Sequence, residues 1–185
     1  MPPKKRWKKQ STSSNGCTGE LEVGRTLSKD ELQELALHKL TRHSLTIVEL
    51  KRFLLEYSED ELLVDSITEH LTQCGYLNDQ KFAEAFVRSG AEEKLRGRSR
   101  IEQELTRRGV DPSLVRSTME EHCPSSQEVG RLSIVLERKL KMLAGPLDAK
   151  KLARLYNYLV RQGFSEESIR REMGRRFGDE HDFTS

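Results

Sequence analysis

The stretch Leu105-Thr106-Arg107-Arg108-Gly109-Val110-Asp111-Pro112-Ser113-Leu114-Val115, running on to Met119, decides how the chain folds, because it is written again at a constant offset. Leu105, Gly109, Val110, Asp111, Val115 and Met119 return as Leu159, Gly163, Phe164, Ser165, Ile169 and Met173. Each copy reads as one helix ending and the next beginning. Ile101 and Leu105 in one copy, Leu155 and Leu159 in the other, lie on a single helical face. The glycine then supplies the left-handed backbone that closes the helix. Asp111 and Ser165 are N-caps whose side-chain oxygens accept from the first free amides of the following turn. Pro112 stands at the first helical position, where a missing N–H costs nothing. Val115 with Met119, and Ile169 with Met173, mark the buried stripe of the second helix. A weaker third copy precedes them in Leu50, Leu54, Asp60 and Val64, with Ser58 in place of the glycine and Glu59 in place of the apolar residue. That turn must be built differently.

The same reading extends outward in both directions. Ser28 with Glu31, and Thr46 with Glu49, form capping boxes ahead of the apolar stripes Leu32, Leu35, Ala36, Leu40 and Ile47, Leu50, Leu54, Tyr57. Val64, Ile67 and Leu71 complete a first unit. Gly75 to Asp79 turn the chain into a helix bearing Phe82, Ala83, Phe86 and Val87. The basic bend Lys94 to Arg100 leads into the second unit's remaining helices. His122 to Ser126 read as a linker, Leu132 to Leu143 as a longer helix broken at Gly145-Pro146, and Leu152 to Met173 as the rest of a third unit. No stretch alternates with strand period. The expected fold is all-α: three tandem three-helix repeats forming an elongated, curved body. Their expected extents are 28–77, 78–123 and 124–177, behind a disordered basic arm over 1–27 and ahead of a frayed tail over 178–185.

Composition agrees with small cores in series. The 185 residues are 35% hydrophobic and 34% charged, too polar for one large core. The net charge of +2 conceals a segregation: residues 28–80 hold five basic and eleven acidic side chains, whereas 126–185 hold twelve basic and nine acidic. Opposite poles suit a partner bearing both signs better than naked nucleic acid. Glu56, Glu59, Asp60, Glu61, Asp65 and Glu69 at the acidic end would repel DNA, or serve only solubility. No apolar run reaches membrane-spanning length and the basic N-terminus lacks an apolar h-region, so no membrane contact and a cytoplasmic location are expected. Cys17, Cys74 and Cys123 are widely spaced and unpaired, with Cys74 expected half-buried and Cys123 in the linker. The five histidines form no H-E-x-x-H, nothing pairs a nucleophile with an oriented base, and Gly97-Arg98-Ser99 is no P-loop. A non-enzymatic protein without cofactor or metal is expected.

The candidate binding residues are cations. Arg88, Lys94, Arg96, Arg98 and Arg100 gather about Gly97, and Arg107 and Arg108 close the next helix. Lys150, Lys151, Arg154, Arg161, Arg170 and Arg171 lie off the apolar stripe of the third unit. Arg100 and Glu104, and Glu104 and Arg108, stand at i, i+4 and can be surface pairs worth a few tenths of a kcal/mol, roughly. Arg96 and Arg98 are the stronger candidates, because Gly97 is expected to break the helix and part them from Glu92 and Glu102. Tyr76 and Phe82 read as packing groups.

Gly75-Tyr76-Leu77-Asn78-Asp79-x-x-Phe82-Ala83-x-x-Phe86-Val87, the bend Arg96-Gly97-Arg98, Leu105-x-x-x-Gly109-Val110 and Leu159-x-x-x-Gly163-Phe164 together resemble the RecX family, over about Ala36 to Met173. Departures are Asn78 for a usual aspartate, Gly90 after Phe86-Val87, the Ser58-Glu59 turn, and the opening helix of the third unit. The resemblance implies a modular regulator that binds the groove of the RecA filament on single-stranded DNA and curbs strand exchange, ATP hydrolysis and co-protease activity; a monomer is expected. It makes the thirteen cations above candidates for filament contact. A direct, largely nonspecific DNA-binding protein is the alternative, and weak DNA contact could accompany the first role. A generic helical scaffold is the third reading.

Overall fold

The structure is a computed structural model that describes residues 27–143 and 147–178. The basic run with Trp7, Cys17, the Gly145-Pro146 break and the tail beyond Gly178 lie outside the described residues. Within them the chain forms α1 (Lys29–Arg42), α2 (Ile47–Leu54), α3 (Glu61–Gln73), α4 (Asp79–Arg88), α5 (Arg98–Arg107), α6 (Pro112–His122), α7 (Glu128–Lys141), α8 (Ala149–Arg161) and α9 (Glu166–Phe177), and no strand occurs among them. No described helix is long and apolar enough to cross a membrane.

Local chemistry starts these helices where the sequence indicates. Both capping boxes form: the Glu31 amide donates to Ser28 Oγ and the Glu49 amide to Thr46 Oγ1, while each glutamate accepts from its cap's N–H. Asp111 Oδ1 accepts from the amides of Ser113 and Leu114. Ser165 Oγ accepts from the Ser168 amide and donates to Glu128 on α7, which ties the start of α9 to the start of α7. Gly75, Gly109 and Gly163 have φ of +77°, +83° and +87°.

Apolar burial divides into three clusters in chain order. Leu32, Leu50, Leu54, Ile67, Leu71 and Leu77 lead the first. Ala83, Val87, Ile101, Leu105, Val110 and Met119 form the second. Leu132, Leu136, Leu155, Leu159, Ile169 and Met173 form the third. Each fully buried leucine contributes about 2 kcal/mol of transfer free energy. Two cysteine expectations are corrected. Cys74 is exposed, because it caps the solvent-facing end of α3. Cys123 is no linker residue: it is fully buried in the second cluster, and burial pushes its thiol up, away from the reactive thiolate. The chain beyond it is ordered as a 3₁₀ turn over Ser125–Gln127.

The repeated turns dock the units to one another. In the second unit, the carbonyl of Arg108, which caps α5, accepts from Thr46 Oγ1 at the start of α2, at 2.7 Å. In the third unit, the carbonyl of Gln162, which caps α8, accepts from the amide of Gly97 at the start of α5, at 2.8 Å, and the Ser99 amide donates to Gly163 O at 3.1 Å. The junction is therefore the same device used twice, joining the cap of a middle helix in one unit to the Gly turn of the next. It leaves no room for side chains. A Cβ on Gly97 would lie 2.0 Å from the backbone of Gly163, one on Gly163 2.4 Å from Arg100, and one on Gly109 2.7 Å from Val48. Ser58 has no such duty in the first unit, where the turn keeps ordinary backbone and Ser58 Oγ accepts from the Asp60 amide.

The bend from Lys94 to Arg100 is thereby a joint. Leu95 takes φ +49°, a left-handed conformation costing a bulky residue about 1–2 kcal/mol, and its side chain is buried in the third cluster. Ahead of it, α4 passes into a single π turn over Ser89–Glu93, and Gly90 lets Ile101 approach to 3.1 Å of where its Cβ would stand.

Gly97→Ala has no φ penalty, so its loss of stability reports the backbone approach alone: about 1–3 kcal/mol in denaturant melts. Gly163→Ala adds left-handed strain and should cost more, whereas Gly75→Ala, with open space around it, should cost only about 1 kcal/mol. Equal losses at Gly75 and Gly97 would contradict the joint. A second prediction concerns the buried Glu172. Burial pushes its carboxyl up, but hydrogen bonds from Arg175 and Arg176 outweigh this and hold it below the usual carboxylate range. Its ionised form therefore stabilises the fold at neutral pH, and that contribution disappears as pH falls through the folded value. Glu172→Gln should lower Tm at pH 7, with the gap from the parent protein narrowing on acidification; a gap independent of pH would contradict the assignment.

Candidate polyanion-binding cleft

Thirteen cations were read from the sequence as binding candidates, and their surroundings divide them. Arg98 is engaged inside the fold. Its guanidinium donates to Glu102 at 3.0 Å, to Glu120 at 2.7 Å, and to the carbonyls of Met119 and Cys123 at the end of α6. The expectation that Gly97 would part Arg98 from Glu102 is corrected: Gly97 is the cap that starts α5, so both residues lie inside it one turn apart. Arg98 supplies a donor to the Cys123 carbonyl at the C-cap of α6 and a second donor to that of Met119, which already accepts from the Cys123 amide, a structural duty.

Arg100 is likewise committed, its Nη1 donating to Arg161 O and to Gln162 Oε1 across the second junction. The expected Arg100–Glu104 pair gives way to Arg107, 2.6 Å from Glu104, and Arg108, 3.9 Å away. These cations hold the Glu104 carboxyl below its usual range, the hydrogen bond from Arg107 contributing most. Arg108 also lies 3.7 Å from Glu49 and over the rings of Phe82 and Phe86. Arg170 and Arg171 pair with Glu166 and Glu167 one turn back along α9. Arg88 and Lys94 are exposed and Arg96 is half-buried.

A separate group of cations converges in the third unit. Lys151, Arg154 and Arg161 of α8 face Lys139 of α7 across a cleft of about 420 Å³, floored by Leu143, Leu155 and Tyr158. Lys150, in the first turn of α8, is exposed beside it. Lys139 Nζ stands 4.6 Å above the Tyr158 ring, a cation–π contact that steers the ammonium over the cleft. No carboxylate lines the cleft among the described residues. Four cations around an apolar floor with one aromatic ring can bind phosphate oxygens at the rim and shelter an apolar face beneath. Lys139 escaped the sequence reading: its charge is plain, but only the packing of α7 on α8 brings it to Arg154 and Arg161. Tyr76 belongs to the turn between α3 and α4 and not to the core, being 64% exposed while Leu77 takes the buried place.

Comparison with known proteins agrees with this architecture. The family model described as RecX, second three-helix domain, matches residues 78–119. The regulatory protein RecX of Oceanobacillus iheyensis is 28% identical over 144 residues, covering 76% of this chain and 53% of that protein. That of Bacillus cytotoxicus is 24% identical over 153 residues, covering 81% and 56%. The chain thus spans about half the length of these curated relatives. In fold, it resembles the crystal structure of RecX from Lactobacillus salivarius with a TM-score of 0.67 at 19% identity, covering 82% of this chain and 96% of that one. A second crystal structure, of regulatory protein RecX, gives a TM-score of 0.69 at 18% identity, covering 80% and 73%. The domain match over α4 to α6 and the relatives aligned along about four-fifths of the chain make it similar to the RecX regulatory proteins, and the solved structures share its helical fold.

Proposed function

We propose that the chain regulates the RecA recombinase without catalysing a reaction, lying as a monomer in the groove of the RecA filament on single-stranded DNA. The observation that carries this reading is a docked series of three units with cations gathered in one cleft of the last and an acidic first unit. A filament groove offers both signs, phosphates along its axis and protein charges on its walls. A body held by backbone junctions keeps its two poles at a set separation, so simultaneous contact gains effective concentration over either contact alone. Occupying the groove would exclude a second duplex or a co-protease substrate, and so curb strand exchange, recombinational repair and the SOS-type response. This role belongs in the cytoplasm. The repeats are assigned to 28–77, 78–123 and 124–177, with filament contact through Lys150, Lys151, Arg154 and Arg161 first, and Arg88, Lys94 and Arg96 second.

The cleft also supports modest direct DNA affinity. Four phosphate contacts to single strands correspond to a slope of about −3 in log K against log salt. Sequence-specific reading is not supported, because the cleft is lined by cations and apolar groups without the amide side chains that pair with base edges.

The test is RecA ATP hydrolysis and strand exchange on single-stranded DNA at low salt, with this protein at stoichiometric amounts. Suppression of both is expected, weakened about tenfold by Arg154→Glu with Arg161→Glu, which reverses two exposed charges without touching the core. Absence of any effect of the unaltered protein refutes the regulator. Tight DNA binding without an effect on RecA supports the alternative.

A further inference from the structure

A second and larger groove, of about 610 Å³, opens at the seam of the first two units. One wall is the end of α1 with the loop after it, through Leu40, His43 and Leu45; the other is the outer face of α4, through Phe82, Ala85 and Phe86. Tyr76 stands exposed at the mouth. Lys81, Lys94 and Arg108 bring positive charge, and no carboxylate lines the groove among the described residues. Phe82 and Phe86 stack with centroids 6.0 Å apart, and the Arg108 guanidinium covers both rings at 5.4 and 5.2 Å. Arg108 Nε is sealed from solvent with no hydrogen-bond partner.

Charge and shape select the occupant. The groove wants negative charge at Lys81 and Lys94 and an apolar or aromatic group between Tyr76 and Leu40. A nucleic-acid strand is disfavoured on two counts. The phenylalanine faces on which bases would stack are already taken by Arg108. Residues 28–80 also carry six more acidic than basic side chains, a field that repels a run of phosphates but costs little to a peptide whose one or two carboxylates reach the lysines. We propose that this groove docks an acidic peptide segment bearing an aromatic side chain, supplied by a partner protein. Resting on the regulator reading above, that partner is the filament-forming recombinase, and the chain grips protein through its first seam and phosphate through its last cleft.

The experiment uses the full, ¹⁵N-labelled chain and three probes: a peptide with aspartates flanking one phenylalanine, the same peptide with lysines for aspartates, and a thymidine oligonucleotide. The acidic peptide should move the amides of Gly75, Tyr76, Lys81, Ala85 and Ser89, and the basic one should not. The oligonucleotide should move α8 instead. Lys81→Glu with Lys94→Glu, both exposed, should weaken peptide binding about tenfold and leave oligonucleotide affinity within about twofold. Unmoved groove amides with the acidic peptide, or movement there with the oligonucleotide, overturns the proposal. Co-sedimentation with RecA filaments separates the two readings. Loss of filament binding in the double variant supports both. Peptide docking without any filament binding by the unaltered protein keeps the groove and removes the recombinase as its partner.

Discussion

Two peptide backbones meeting without side chains between them, Gly97 against Gly163, hold the second and third units in one orientation. Hydrogen bonds from Gly97 and Ser99 to the turn carbonyls define the approach, and Leu95 secures it by taking a strained backbone to reach the neighbouring core. The strain persists because burial of a leucine outweighs it. The first junction repeats the geometry with Thr46 in place of a backbone donor, its hydroxyl serving at once as helix cap and as donor to Arg108 O. A hydroxyl that accepts from its own helix and donates to the next unit couples local helix formation to assembly of the whole. Ser58 completes the logic from the other side. Among the described residues no cap from another unit docks on the Ser58 turn, which keeps ordinary backbone without glycine.

The junctions also sort the charges. Arginine suits helix ends and seams because its planar fork can meet several carbonyls at once, and Arg98 and Arg100 are used that way. Their density around Gly97 reflects the requirements of a joint, where carbonyls from two helices and a turn converge. A further set of cations lines the cleft between α7 and α8, so fastening and the presentation of charge fall to different side chains. At the opposite seam, Arg108 plays both parts, holding Glu49 and Glu104 at a distance while roofing two aromatic rings beside an open groove.

Much of the architecture was legible in the residues. Caps at Ser28, Thr46, Asp111 and Ser165, and left-handed glycines at 109 and 163, are short-range chemistry, and the buried stripes follow from helical period alone. Exposure of Cys74 and Tyr76 and burial of Cys123 were not legible, since residues at helix ends face inward or outward according to which neighbour covers them. The candidate site was legible only as a list of cations. A guanidinium spent on the carbonyls of α6 and one open to solvent are written with the same letter.

The sequence by itself determined the helices, their order and their repetition, because caps, glycine turns and apolar spacing act within a few residues. Only the tertiary structure decided which glycines are joints, which arginines are fasteners and which cations converge, because those roles depend on atoms tens of residues away brought within hydrogen-bonding reach. The resemblance to the RecX family was visible at the first level; the α8 cleft and the groove beside Tyr76 exist only at the second.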